Sequence, residues 1–230
     1  MKTLCKAALI CAATMSSLQA QILLQESWTT FDGGAPSLTI PDANATGVSD
    51  IRSVASMFIQ IIEVRVWVKT EGNFDGDLYF TLQHNGSQTV LLNRPGRSGS
   101  EPFGYAGGSM DITFHDGAAN GDIHTYRDMP TPISGAPLTG SWQPDGRDVD
   151  PALSVTGTPR TAMLGVFNGQ DVNGEWTLFA ADVSGGGDTQ ILAWGMDITV
   201  VPEPADFQRA AAFALGAGYL FHRARRRNTH

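Results

Sequence analysis

Apolar and polar residues alternate with a period of two in several separate stretches of this chain, and no extended stretch follows the helical period of about 3.6 residues. In "IEVRVWVK", Ile62, Val64, Val66 and Val68 share one face while Glu63, Arg65, Trp67 and Lys69 share the other. "DLYFTLQ" places Leu78, Phe80 and Leu82 together, and "GEWTLFA" does the same for Trp176, Leu178 and Ala180. In "QILAWGMDITV" the even positions Leu192, Trp194, Met196, Ile198 and Val200 form the apolar set. Each pattern predicts an antiparallel-type strand with one face in a core and one in water. Between them stand "EGNFDGD", "HNGS", "RPGRSGSEPFG", "DGAANGD", "TPISGAP", "NGQDVNG" and "VSGGGD", rich in the Gly, Asn, Asp and Pro of turns. Many short strands so punctuated predict an all-β protein, an antiparallel sandwich or jelly roll, in one domain over residues 21–200.

The two ends read differently. Residues 1–20 have a basic start at Lys2 and Lys6, a short apolar centre and a small residue at Ala20, which is the pattern of a secretory signal peptide cleaved after Ala20. Both cysteines, Cys5 and Cys11, fall inside it, so the exported body has none and draws no stability from disulfides. Residues 21–200 carry 8 Lys/Arg against 21 Asp/Glu, a net charge of −13. Such a body repels nucleic acid and suits cations, neutral glycans or basic partners.

Four segments occur in a recognisable order: Ile40-Pro41-Asp42; Gly76-Asp77-Leu78 after the long alternating strand; Gly174-Glu175-Trp176-Thr177-Leu178 with Asp182 beyond; and Leu192-Ala193-Trp194. Together they resemble the P domain (Homo B) that accompanies the catalytic domain of proprotein convertases and subtilisin-like proteases. The resemblance implies a jelly-roll sandwich that supports a protease, and the long middle insert around "MDITF" is similar to that of exported bacterial P-domain proteins. The sequence departs from the family pattern at Lys69-Thr70, where His-Thr is usual, and at His115, where a second acidic residue often precedes Asp116.

Candidate chemistry is sparse. His84, His115 and His124 read as exposed loop residues, and no serine stands in a G-x-S-x-G elbow, so no catalytic triad is expected and a serine-endopeptidase label would describe the family's usual company. Zinc is disfavoured, because the body has no cysteine and no H-E-x-x-H pattern. Calcium suits carboxylates on glycine-rich loops, which also form Asx turns without any metal. The resemblance points to Asp77, Asp116 and Asp182, with Asp75, Asp122 and Asp188 as further candidates. Trp67 faces away from the apolar side of its strand and, with Tyr79, is a candidate for stacking on sugars, whereas Trp176 and Trp194 belong to the core.

The C-terminal segment 201–230 has 5 arginines against 2 acidic residues. Its apolar run from Ala210 to Phe221, 12 residues long, reaches about 18 Å as a helix, short of the roughly 30 Å hydrocarbon core. Pro202-Glu203-Pro204, an apolar helix and a terminal cluster with Arg225, Arg226 and Arg227 resemble the PEP-CTERM sorting signal. That resemblance implies the export machinery, transient inner-membrane insertion and an exosortase-like processing enzyme as partners. The sequence therefore predicts a non-catalytic protein of the cell envelope or extracellular matrix, working by adhesion or packing. A carbohydrate-binding module and an accessory partner of a separate serine protease are the alternatives.

Overall fold

The alternating stretches are strands in the computed structural model, which describes residues 21–128 and 137–201. The strands are β1 (Ile22–Trp28), β2 (Leu38–Ile40), β3 (Asn44–Val54), β4 (Gln60–Glu71), β5 (Leu78–His84), β6 (Ser87–Asn93), β7 (Met110–Phe114), β8 (Leu138–Trp142), β9 (Gly174–Asp182) and β10 (Thr189–Val201). They form two sheets. The first runs β1-β10-β4-β7-β8, with β2 also pairing to β10, and the second runs β3-β9-β5-β6. Short 3-10 turns are the sole helical elements among the described residues, and none there could cross a membrane. The segment expected to be a signal peptide, residues 1–20, and residues 202–230 of the expected sorting tail lie outside the described residues.

The core lies between the sheets. Trp142, Trp176, Trp194, Phe80, Phe114 and Phe167 are its largest fully buried side chains, and Val66, Val68, Leu82 and Leu178 fill the space between them. A buried indole also needs a partner for its N–H. Trp194 donates to Asp50 Oδ2 at 2.6 Å, and Trp176 donates to the Val172 carbonyl at 3.1 Å.

Three features depart from simple alternation. Between Thr199 and Val200 the partners on β4 jump from Glu63 to Ile61, so a β-bulge at Ile62 puts Ile61 in the core and turns Ile62 outward, 39% exposed. A second bulge between Ile191 and Ala193 sends Ile191 inward in place of Leu192. The pairing of β7 with β8 is parallel, although every other strand ladder among the described residues is antiparallel. A parallel neighbour needs a long connection, here residues 115–137 between the two strands. The predicted turn "HNGS" is a tight hairpin, with Asn85 at φ 47° and Gly86 at φ 78° as a type I′ turn requires.

Candidate functional site

The aspartates singled out by sequence are spread over several places. Asp75 and Asp77 sit in the 3-10 turn that leads into β5, and Asp182 ends β9 directly opposite Leu78. Asp77 faces Arg94 at 3.4 Å, and its backbone carbonyl accepts from Val183 N at 2.9 Å. Burial raises the pKa of both Asp77 and Asp182, the latter to about 6, with Asp42 adding repulsion to each. Asp116 lies in the turn after β7, beside the first residues of β4, where its two oxygens accept from Leu164 N at 2.9 Å and Gly165 N at 2.7 Å. Asp122 is held by Arg147 at 2.8 Å, and Asp188 is exposed. Only Asp77 and Asp182 of this set come together. Among the described residues no three His, Cys, Asp or Glu side chains gather in a metal-holding arrangement.

Two of the three histidines expected in exposed loops are buried. His84 closes β5 and stacks flat on Trp176, with ring centroids 3.9 Å apart. Its nitrogens meet the carbonyls of Glu175 at 2.9 Å and Asp171 at 2.6 Å. His124 is fully buried between Asp145 Oδ2 at 2.8 Å and the Arg97 carbonyl at 2.9 Å. Neither imidazole has a nitrogen left for a hydroxyl nucleophile. Sequence reasoning misses this because the partners, in loops and at the start of β9, lie 21 to 91 residues away.

His115 is different. Its Nε2 pairs with Glu63 Oε1 at 2.5 Å on the rim of a cleft of about 470 Å³. Ile62, Glu63, His115, Asn168, Thr199 and Gln21 are among its walls, and no serine or cysteine lines it among the described residues.

Along β4 from this cleft lies the outer face of the first sheet. The register sets one row straight across five strands: Ser27, Gly195, Trp67, Thr113 and Ser141. Trp67 is partly buried at the centre of that row. Gly195 makes its position possible, since a Cβ there would run into the Trp67 indole and the Glu26 carbonyl. The flanking charges are paired or bonded: Lys69 with Asp111 at 3.4 Å, Arg65 with Glu63 at 3.3 Å, and Gln25 donating to Asp197 at 3.1 Å. Tyr79 belongs to the other sheet, edge-on to Phe179 at 6.2 Å. Trp67 and Tyr79 therefore sit on opposite outer faces of the sandwich and form no common platform. The glycine inside "AWGMD" is the available sequence signal for the close approach at Trp67.

No family model matches the chain, and no curated protein matches it. Solved structures similar to it include the Aeromonas sobria serine protease in complex with the chaperone ORF2. That match has 14% identity and a TM-score of 0.46, covering 84% of this chain and 29% of that one. The structure of the Aeromonas sobria serine protease gives 14% identity and 0.46 over 82% of this chain and 28% of that one. This chain thus spans less than a third of each of these two chains.

Asp75 yields a pH prediction. Its side chain is buried, Oδ2 accepts from the Tyr126 hydroxyl at 2.7 Å, and Oδ1 has no partner. Desolvation pushes its pKa up to about 7, against the lowering effects of Tyr126 and Arg127. The unfolded chain loses this proton near pH 3.8 whereas the folded chain keeps it until about pH 7, so stability falls as pH rises through that window. Asp75→Asn removes this residue's share of the dependence and leaves that of Asp77 and Asp182. Chemical denaturation should find the two proteins equally stable near pH 4, with the variant ahead by a few kcal/mol at pH 8; parallel profiles would refute the assignment.

Proposed function

We propose that the mature protein is an exported, non-catalytic binding module, a P-domain-like jelly roll that attaches to neutral polysaccharide of the cell envelope or extracellular matrix. The observation that carries this reading is Trp67, laid over Gly195 at the centre of a row that crosses five strands. An indole held by packing gives up little conformational freedom on binding, and its apolar surface suits the C–H face of a pyranose ring. Ser27, Thr113 and Ser141 in the same row, with the amide of Gln25 beside it, offer hydrogen bonds to sugar hydroxyls. The paired charges on this face and the net −13 of residues 21–200 favour an uncharged ligand over a polyanion.

On this reading Trp67→Ala lowers the unfolding midpoint modestly, through lost packing on Gly195, leaves the protein folded, and removes retention on the neutral polysaccharide that the wild type binds. Undiminished retention would count against this face. Recovery of a subtilisin-like protease in place of polysaccharide from an envelope pull-down would move the assignment to an accessory partner.

Calcium enters the proposal at one place. Asp77 and Asp182 supply hard oxygen donors, and backbone carbonyls with water would have to complete the six to eight ligands that the ion takes. Millimolar calcium should raise the calorimetric midpoint of the wild type by preferential binding to the native state, and should leave Asp182→Asn unmoved. A midpoint insensitive to both calcium and chelator removes calcium from the account.

The two ends of the chain supply the address. Cleavage after Ala20 and processing beside Pro202-Glu203-Pro204 would leave the sandwich outside the inner membrane. The intact mass of the protein recovered from the cell surface should correspond to a chain from Gln21 to the neighbourhood of Pro204. A mass that includes His230 would show that the tail stays on.

A further inference from the structure

The cleft beside Glu63 and the indole of Trp67 lie on the same strand, on the same outer face, four residues apart, which is about 13 Å along β4. The bulge at Ile62 sets the character of the cleft. Strict alternation would bury Ile62 and leave Glu63 as the lone outward side chain of the pair; the bulge turns both outward, so an apolar wall adjoins a carboxylate. Leu164 extends the apolar part, and His115, Asn168 and Thr199 extend the polar rim.

The polar rim is organised. Glu63 is held between His115 at 2.5 Å and Arg65 at 3.3 Å. Asp116 fixes the turn at Leu164 and Gly165 through two backbone N–H groups, which positions the segment carrying Asn168. An apolar wall facing a ring of fixed donors and acceptors has the two-sided chemistry of a sugar ring.

We propose that this cleft is a second sugar position on the same track as Trp67, so that the face takes an extended neutral polysaccharide chain. This inference rests on the glycan reading above and deepens it. Arg65, Asp197 and Gln25 lie between the two positions and supply polar contacts along the way. The carboxylates of Glu63, Asp116 and Asp197 exclude polyuronates, whose like charge would meet them at close range.

The test uses the full-length exported protein, a glycan array of neutral and uronate polysaccharides, and then calorimetry with oligosaccharides of increasing length cut from the neutral glycan that binds. Wild-type affinity should rise stepwise once the oligosaccharide is long enough to reach from Trp67 to the cleft. Glu63→Gln and Asn168→Ala should each lower affinity for the long oligosaccharides by roughly tenfold, as the loss of one well-placed polar contact does, and leave the shortest unaffected. Trp67→Ala should weaken every length. Ile62→Ser, a polar replacement at an outward position, should likewise weaken only the long oligosaccharides, with its unfolding midpoint as the control for folding.

If Trp67→Ala abolishes binding while the cleft variants match the wild type at every length, the cleft proposal fails and the glycan reading stands. If no neutral glycan binds, or if polyuronates alone bind, both fail.

Discussion

The antiparallel pairing of β4 with β10 at the centre of the first sheet is the constraint on which the rest depends. It runs from Gln190 opposite Glu71 to Val201 opposite Gln60, and its register decides what each side of the sandwich presents. Inward it delivers Val64, Val66 and Val68 opposite Ile198, Met196 and Trp194. Outward it sets Trp67 against Gly195 and Arg65 against Asp197. A slip by one residue would exchange the two sets, burying Glu63 and Arg65, so the apolar pattern enforces the register strongly. The two bulges relieve the mismatch at the ends of the ladder, one in each strand. The one at Ile62 also creates the two-residue outward step on β4 where the cleft forms.

The body has no cysteine, yet its long middle segment must be held against the sandwich. A buried polar network performs this task. Asp145, fully buried, accepts from His124, from the Asn93 backbone and from Arg147, and Arg147 reaches on to Asp122 with two nitrogens at 3.3 and 2.8 Å. Arg97 contributes its carbonyl to His124 and its guanidinium to the Ser154 carbonyl, and Arg160 ties down the Asp145 and Pro144 carbonyls. Burying these charges is costly, and the cost is offset because nearly every donor and acceptor is matched. Removing one member would strand its partners in a dry interior, so such a network specifies one loop arrangement more than it adds net stability.

The alternation in "DLYFTLQ" and "GEWTLFA" is legible in sequence because both strands pack one face on the core without interruption, and the structure buries the residues predicted. "HNGS" is legible because Asn-Gly is the local solution for a two-residue hairpin. Ile62 and Leu192 are misassigned by alternation because a bulge is a property of the pair of strands, and neither strand alone shows it. His84 and His124 are misassigned for a related reason: turn-like neighbours suggest exposure, while their partners come from distant loops. Alternation places Trp67 correctly on the outer side but says nothing of its company, since Gly195, Thr113 and Ser141 reach it only through the sheet order. The cleft draws on β4, β10, the turn after β7 and the loop beyond Leu164, so no local window of sequence contains it.

An open sheet face with one indole and a cleft fits the proposed surface role better than a deep pocket would. A deep pocket gains affinity by enclosing its ligand, and a polysaccharide strand in a matrix has no free end to enclose. A face can meet the strand anywhere along its length. Each contact is then modest, since much of the buried area is offset by the cost of ordering both partners. That cost is reduced here because Trp67 and Glu63 are anchored on a strand and not on a loop. On the proposed reading, many copies at a surface would combine weak attachments at one face into firm adhesion without any single site having to be tight. The fixed register of the first sheet is therefore the property that links the β4–β10 ladder to the proposed work of the protein.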